Sequence, residues 1–256
     1  MLKKIFIFLI GGREFFIFRF YKVFKYSIET YIKILPLLNN KKVFFLFKIV
    51  KSNFLIIFKP VKPETKKDFN SNYFFKFPDY FSNNFNIWKS FLIHIPNFEY
   101  LEIGTFEGRS ALFISEFKNC EKIVCVDPYI DYNESEKYDF KMSDVFESVS
   151  QKIKQIQNKD IKLIREKSDD FFLNNKETFD VIYIDGHHKY EYVKRDFINS
   201  MNCIKKDGIL ICDDFLWLKY EKLDENPIGA ILECYDNYKK DLQILFINHQ
   251  IIFKKI

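Results

Sequence analysis

The sequence predicts an α/β fold: an open, doubly wound sheet of seven strands that ends in an antiparallel hairpin and follows an N-terminal extension rich in helix formers and aromatics. Three observations predict it. From residue 100 onward, short apolar segments alternate with helix-like ones. The first apolar segment runs into Glu102-Ile103-Gly104, with a second glycine at Gly108 and a helical pattern behind it. The last two segments are separated only by Asn248 and His249, too few residues for a helical crossover, so they pair as a hairpin.

Strands are expected at Tyr100–Ile103, Ile123–Val126, Ile161–Ile164, Val181–Ile184, Ile209–Cys212, Leu242–Ile247 and Gln250–Phe253. Helices are expected from Arg109, over 142–156, from Asp169, over 190–203 and over 227–238. A chain that turns sharply at a strand's end and lies flat against a ligand needs glycine there. The chain has only seven glycines, yet Gly104, Gly108, Gly186 and Gly208 all fall at strand ends or turns of this half. The spacing E-x-G-x-x-x-G lacks the third glycine of the G-x-G-x-x-G dinucleotide fingerprint, which disfavours a nicotinamide oxidoreductase.

Charge divides the chain. Residues 1–67 hold 15 Lys and Arg against three acids, whereas the remainder holds 25 against 32, so the net +5 conceals two oppositely charged parts. The expected organisation is a basic, Phe-rich extension over 1–68 and one domain over 69–256, with the exposed connector KPVKPETKKD at the boundary. The extension suits a helical cap on the domain or, through residues 1–58, a peripheral contact with an anionic membrane. Its apolar runs, Ile5–Ile10 and Val43–Phe58, are too short or too interrupted by lysine to span a bilayer, and no signal-cleavage pattern follows the first. Five cysteines without a C-x-x-C pair read as buried thiols of a reduced compartment, so a cytoplasmic protein is expected. Lysine enrichment without an arginine cluster argues against nucleic acid as a partner.

In an open α/β sheet the ligand lies beyond the carboxyl ends of the strands, and those ends carry mostly acids. Asp127 is placed either to accept hydrogen bonds from ribose hydroxyls or to form a turn before Pro128. Ser168 could reach an adenine edge or cap the helix from Asp169. Asp185, Asp213 and Asp214 belong to neighbouring strands, and their mutual repulsion would be relieved by a divalent cation such as Mg²⁺, although Asp185 also suits a turn and Asp214 a cap. His187 and His188 follow at once and can take a proton near neutral pH. His94 and His249 stand in apolar, strand-like contexts and are expected to be structural.

Together, Trp88, LEIGTFEGRSALF, IVCVDPY, FDVIYIDGHHKYEYVKRDF, IKKDGILICDDFLW and INHQIIFKK resemble the class I S-adenosylmethionine-dependent methyltransferases, and among them the small-molecule O-methyltransferase-like group, methyltransferase family 24. The resemblance runs from about Phe81 to the end and implies a Rossmann-like fold. It also implies that Glu102, Gly104, Phe106, Gly108 and Ser110 surround the methionine part of S-adenosylmethionine, with Asp127 at the ribose, Ser168 at the adenine and Asp185 shared between cofactor and catalysis. In the similar catechol-type enzymes, acids at the positions of Asp185 and Asp213 and an Asn at that of Asp214 hold a metal. Their lysine base falls where this chain has His188; in macrolide-type sugar methyltransferases the base is an Asp, where this chain has His187. The expectation is a methyltransferase acting on a hydroxyl of a small molecule or sugar, Mg²⁺-assisted, with His188 ahead of His187 as base. A non-catalytic S-adenosylmethionine-binding or membrane-surface protein is the alternative, and oligomerisation is left open.

Overall fold

A computed structural model of the chain describes residues 42–58, 63–131 and 140–256, together with part of the stretch 25–38. Most of the expected extension, and the segment 132–139, lie outside the described residues. The strands are β1 (Phe98–Ile103), β2 (Cys120–Val126), β3 (Asp160–Ile164), β4 (Phe179–Ile184), β5 (Ile204–Cys212), β6 (Leu242–Ile247) and β7 (Ile251–Lys255). They form one sheet in the order β3-β2-β1-β4-β5-β7-β6. The first five are parallel, and β7 runs antiparallel to both β5 and β6, so the terminal hairpin follows from its short connection. The order reverses at β1, between β2 and β4, where a doubly wound sheet opens a crevice.

The helices of the described residues are α1 (Lys42–Phe58), α2 (Pro63–Tyr73), α3 (Phe85–Leu92), α4 (Arg109–Ser115), α5 (Met142–Lys154), α6 (Ser168–Asn174), α7 (Tyr190–Cys203) and α8 (Pro227–Tyr238). Strand side chains alternate between two apolar layers. Leu101 and Ile103 of β1 join α1, α6, α7 and α8 on one side, while Tyr100, with Tyr183 of β4 and Ile211 of β5, joins α2, α3 and α4 on the other. All five cysteines are buried and unbridged. No helix of the described residues is long and apolar enough to cross a membrane.

Helix α1 is fastened to the hairpin. Ser52 Oγ accepts the Ile247 N–H at 2.8 Å, Asn248 Nδ2 donates to Asn53 Oδ1 at 3.0 Å, and Lys48 Nζ donates to Ile244 O at 2.7 Å. Helix α2 runs through position 68, and its Phe69 is buried against Phe85 and Phe113.

Some local expectations are revised. The helix from Met142 stops at Lys154 rather than 156, where Gln155 and Ile156 close 3₁₀-type bonds to Lys152 and Ile153. His94 lies exposed in the turn after α3, outside any strand, because the apolar run before it ends at that turn. His249 lies in the turn between β6 and β7, where the short connection puts it.

Trp88 of α3 is fully buried, and its Nε1–H donates to Gln250 Oε1 at 2.8 Å, tying α3 to the hairpin turn. Trp88→Phe keeps an aromatic ring but leaves that buried oxygen without its donor and opens a small void. Urea unfolding should show a loss of about 2–4 kcal/mol.

Candidate active site

The parallel ladder extends one residue beyond each strand and thereby fixes the backbone of the residues singled out by sequence. Gly104 N–H bonds Val126 O (2.8 Å), Asp127 N–H bonds Ile164 O (3.1 Å), Asp185 N–H bonds Ile103 O (2.8 Å), and Asp213 N–H bonds Ile184 O (2.9 Å). The ends of all five parallel strands are thus held side by side. Gly104 has φ +89°, and a Cβ there would collide with the Asp185 carbonyl, so a backbone of this shape at this approach admits only glycine. Gly108, φ +76°, turns the chain into α4.

Around this turn the polar groups are buried. Tyr100 OH donates to Glu102 Oε2 at 2.6 Å, and Glu102 Oε1 has no hydrogen-bond partner. Burial pushes the Glu102 carboxyl up to about 7, partly offset by the nearby Tyr100, Ser110 and Thr105 hydroxyls. Asp127 is also buried. Its Oδ2 accepts the N–H groups of Thr105 (3.0 Å) and Phe106 (2.9 Å), and its Oδ1 accepts that of Tyr129 (2.9 Å). The turn role is therefore realised, and the same carboxylate also braces the glycine turn. Burial raises its pKa against the pull of those three bonds. Phe106 and Tyr129 both sit at positive φ, and Tyr129 OH donates to Phe106 O at 3.1 Å. Ser168 is the first residue of α6 and makes no capping bond. Its hydroxyl instead bonds Asp196 of α7, a buried acid pushed up to about 7 by desolvation.

The acids of β4 and β5 divide in a way the sequence does not show. Asp185, His188 and Asp214 each offer a ligand atom within 4.8 Å of the others, and His188 Nε2 lies 2.8 Å from Asp214 Oδ2. Asp213, expected among the metal ligands, is outside that group. Its Oδ2 accepts from Tyr183 OH and from Gln250 Nε2 (2.7 Å), and its Oδ1 accepts the Asp214 N–H (2.7 Å). Tyr183 OH also bonds Asp185 Oδ2 at 2.9 Å. Burial, then the charges of Asp213 and Asp214, hold Asp185 well above the usual carboxylate range; burial, then Asp214, raises Asp213. Asp214 has φ +53° and caps no helix; its carbonyl instead accepts the Trp217 N–H at 2.9 Å. His188 packs on Trp217 with centroids 4.7 Å apart. His187 is turned toward α7, its ring stacked on Tyr192 and its Nδ1 accepting the Lys189 N–H. His249 lies near enough to Asp214 for that charge to oppose the fall in its pKa caused by burial.

Glycine turn, buried acid and second acidic cluster share one sheet edge, and the family comparison agrees with that layout. A family model described as a methyltransferase domain matches residues 101–215, from β1 to the residue after Asp214. Those residues carry a methyltransferase domain. Among solved structures, the chain resembles MycE from the mycinamycin biosynthetic pathway, solved with Mg and SAH (TM-score 0.53, 14% identity, 77% of this chain and 55% of that one). It also resembles a candidate caffeoyl-CoA O-methyltransferase from Staphylococcus aureus (0.51, 17%, 80% and 99%). A third relative is a candidate methyltransferase from Streptococcus mutans, solved with SAH (0.50, 12%, 66% and 96%). At these identities the likeness is one of fold. No curated protein matches the sequence.

Three residues of the site escaped the sequence analysis: Tyr183, Gln250 and Trp217. Tyr183 had a signal, since it lies two residues before Asp185 and shares its face of β4. Gln250 and Trp217 reach the site through a hairpin and a loop, which no local pattern reveals.

For Glu102, a pKa raised above that of the unfolded chain means stability that is complete at low pH and lost as pH climbs through about 7. Glu102→Gln should therefore unfold at higher urea than the parent methyltransferase at pH 8.5, by on the order of 2–3 kcal/mol, with the advantage vanishing near pH 4.5. A pH-independent difference would contradict this.

Proposed function

We propose that the methyltransferase transfers a methyl group to a hydroxyl of a small molecule or sugar, with Asp185, His188 and Asp214 as the reacting centre. What supports the reading above all is the convergence of those three side chains beside the glycine turn. The cofactor half fits S-adenosylmethionine chemically: Glu102 offers a buried oxygen without a partner, suited to an ammonium group, and glycine at 104 and 108 keeps the turn clear of side chains. Glu102, Gly104, Phe106, Gly108 and Ser110 would hold the methionine portion, Asp127 the ribose and Ser168 the adenine edge. The cofactor supplies the electrophilic methyl. An ammonium beside Glu102 would also favour its carboxylate form, reversing the effect of burial.

In this proposal His188 accepts the acceptor's proton while Asp214, 2.8 Å from its Nε2, orients the ring and stabilises the imidazolium. Trp217 packs against the same ring and limits its rotation. Asp185 faces both halves, since its backbone abuts Gly104 and its carboxylate belongs to the trio. The converging carboxylates of Asp185 and Asp214 fit a divalent cation such as Mg²⁺, which they would hold. Such an ion would lower the acceptor hydroxyl's pKa. Asp213 acts at one remove, through Tyr183, as a positioning residue.

His188 as a third metal ligand is the second reading, favoured by its place within the 4.8 Å group. Calorimetric titration with S-adenosylmethionine should show binding, and its absence would sink the enzyme reading. Asp185→Asn and Asp214→Ala should each abolish transfer, and chelation should mimic them; activity that survives all three rules the ion out. His188→Ala should cost on the order of 10² to 10⁴ in rate. If it is the base, Mn²⁺ affinity stays and the low-pH limb of the rate profile disappears; if it is a ligand, Mn²⁺ affinity falls with the rate.

A further inference from the structure

Helix α1 carries no acid in its 17 residues, and its faces differ in their surroundings. Phe45, Ile49, Ser52 and Asn53 are buried, Phe45 against Tyr235 of α8 and Ser52 and Asn53 against the β6–β7 hairpin. Val43 and Phe47, by contrast, are 80% and 68% exposed, Phe44 beside them is 43% exposed, and Val50 follows half-buried one turn on. Positions 43, 47 and 50 form one stripe on a helix. Exposed Lys42 and Lys51 accompany it. Beside the stripe a groove of about 470 Å³, lined among others by Phe44, Lys48, Tyr235, Ile256 and the Lys254–Asp207 ion pair (2.7 Å), continues the patch onto the sheet edge, where Ile256 is itself exposed.

A single exposed apolar side chain needs no explanation, but a contiguous stripe of them does. The neighbouring charge selects what covers it. Residues 1–67 carry 15 basic groups against three acids, and no acid interrupts the chain from Lys42 to Phe58. A second copy related by a two-fold axis would set this basic face against itself, an unfavourable like-charge juxtaposition. An anionic lipid surface answers both properties: it takes up apolar side chains at headgroup depth and attracts the lysines around them. We infer that α1 lies in the plane of an anionic bilayer surface, with Val43, Phe44 and Phe47 entering the headgroup region and Lys42 and Lys51 facing lipid phosphates. The inference stands apart from the methyl-transfer reading.

Co-sedimentation of the full chain with phosphatidylserine–phosphatidylcholine vesicles, and with phosphatidylcholine vesicles alone, tests it. Binding to the anionic vesicles that weakens at high salt is expected, with a loss of roughly tenfold or more for Val43→Glu combined with Phe47→Glu. Circular dichroism and S-adenosylmethionine titration of that variant should match the parent. Should the pair fail to fold, Lys42→Gln with Lys51→Gln carries the test, with weaker binding and a shallower salt dependence expected. Three results would overturn the inference: no binding to anionic vesicles, parental binding by the folded variants, or a solution dimer that the Val43→Glu, Phe47→Glu pair dissociates without any vesicle binding.

Discussion

The site depends on the parallel ladder running one residue beyond its strands. Each of Gly104, Asp127, Asp185 and Asp213 donates its own N–H to the last carbonyl of a neighbouring strand. An acid at such a position has a backbone as rigid as the sheet and a side chain already outside it. A parallel sheet buried on both faces can therefore present several acids at one edge without sacrificing apolar packing. The bonds also set the spacing between the glycine turn and the acidic cluster, because Gly104 and Asp185 are pinned against each other by adjacent rungs.

The carboxyl groups crowded onto that edge resist ionisation, and the protein meets this with hydroxyl and amide donors rather than with basic side chains. Tyr100 serves Glu102; Tyr183, with a single hydroxyl proton, bridges Asp185 and Asp213; Gln250 serves Asp213 from the hairpin; three backbone N–H groups serve Asp127. Where a basic group does approach, it is His188 at Asp214, on the more open side of the cluster. The basic side chains buried near the turn, Arg109 and Lys152, are engaged elsewhere. They pair with Glu107, which also accepts the N–H groups of Lys76 and Phe77 and so clamps the segment after α2 beside the glycine turn.

Much of the fold was legible because its signals are local. The strands and the helices over 190–203 and 227–238 follow from apolar period and turn residues, and the hairpin follows from a two-residue connection. The positions of Glu102, Gly104, Asp127 and Asp185 were legible for the same reason, since a residue at a strand's end needs only the strand to be found. The division between Asp213 and Asp214 was not. Both follow β5 directly, and which one turns toward Asp185 and His188 depends on Gln250 and Tyr183 holding the first and on positive φ at the second. Ser168 shows a similar limit, because its partner Asp196 comes from a helix distant in sequence.

The β6–β7 hairpin is held from two directions. Ser52 and Asn53 of α1 grip Ile247 and Asn248 on its first strand and turn, and Gln250, at the far side of the same turn, grips Asp213. Free energy shared through such a common support is reciprocal. Whatever firms the seat of α1 on the hairpin narrows the excursions of Gln250, and whatever settles the acids at the sheet edge steadies α1 in return. Helix α1 and Asp213 at the sheet edge therefore share one four-residue support.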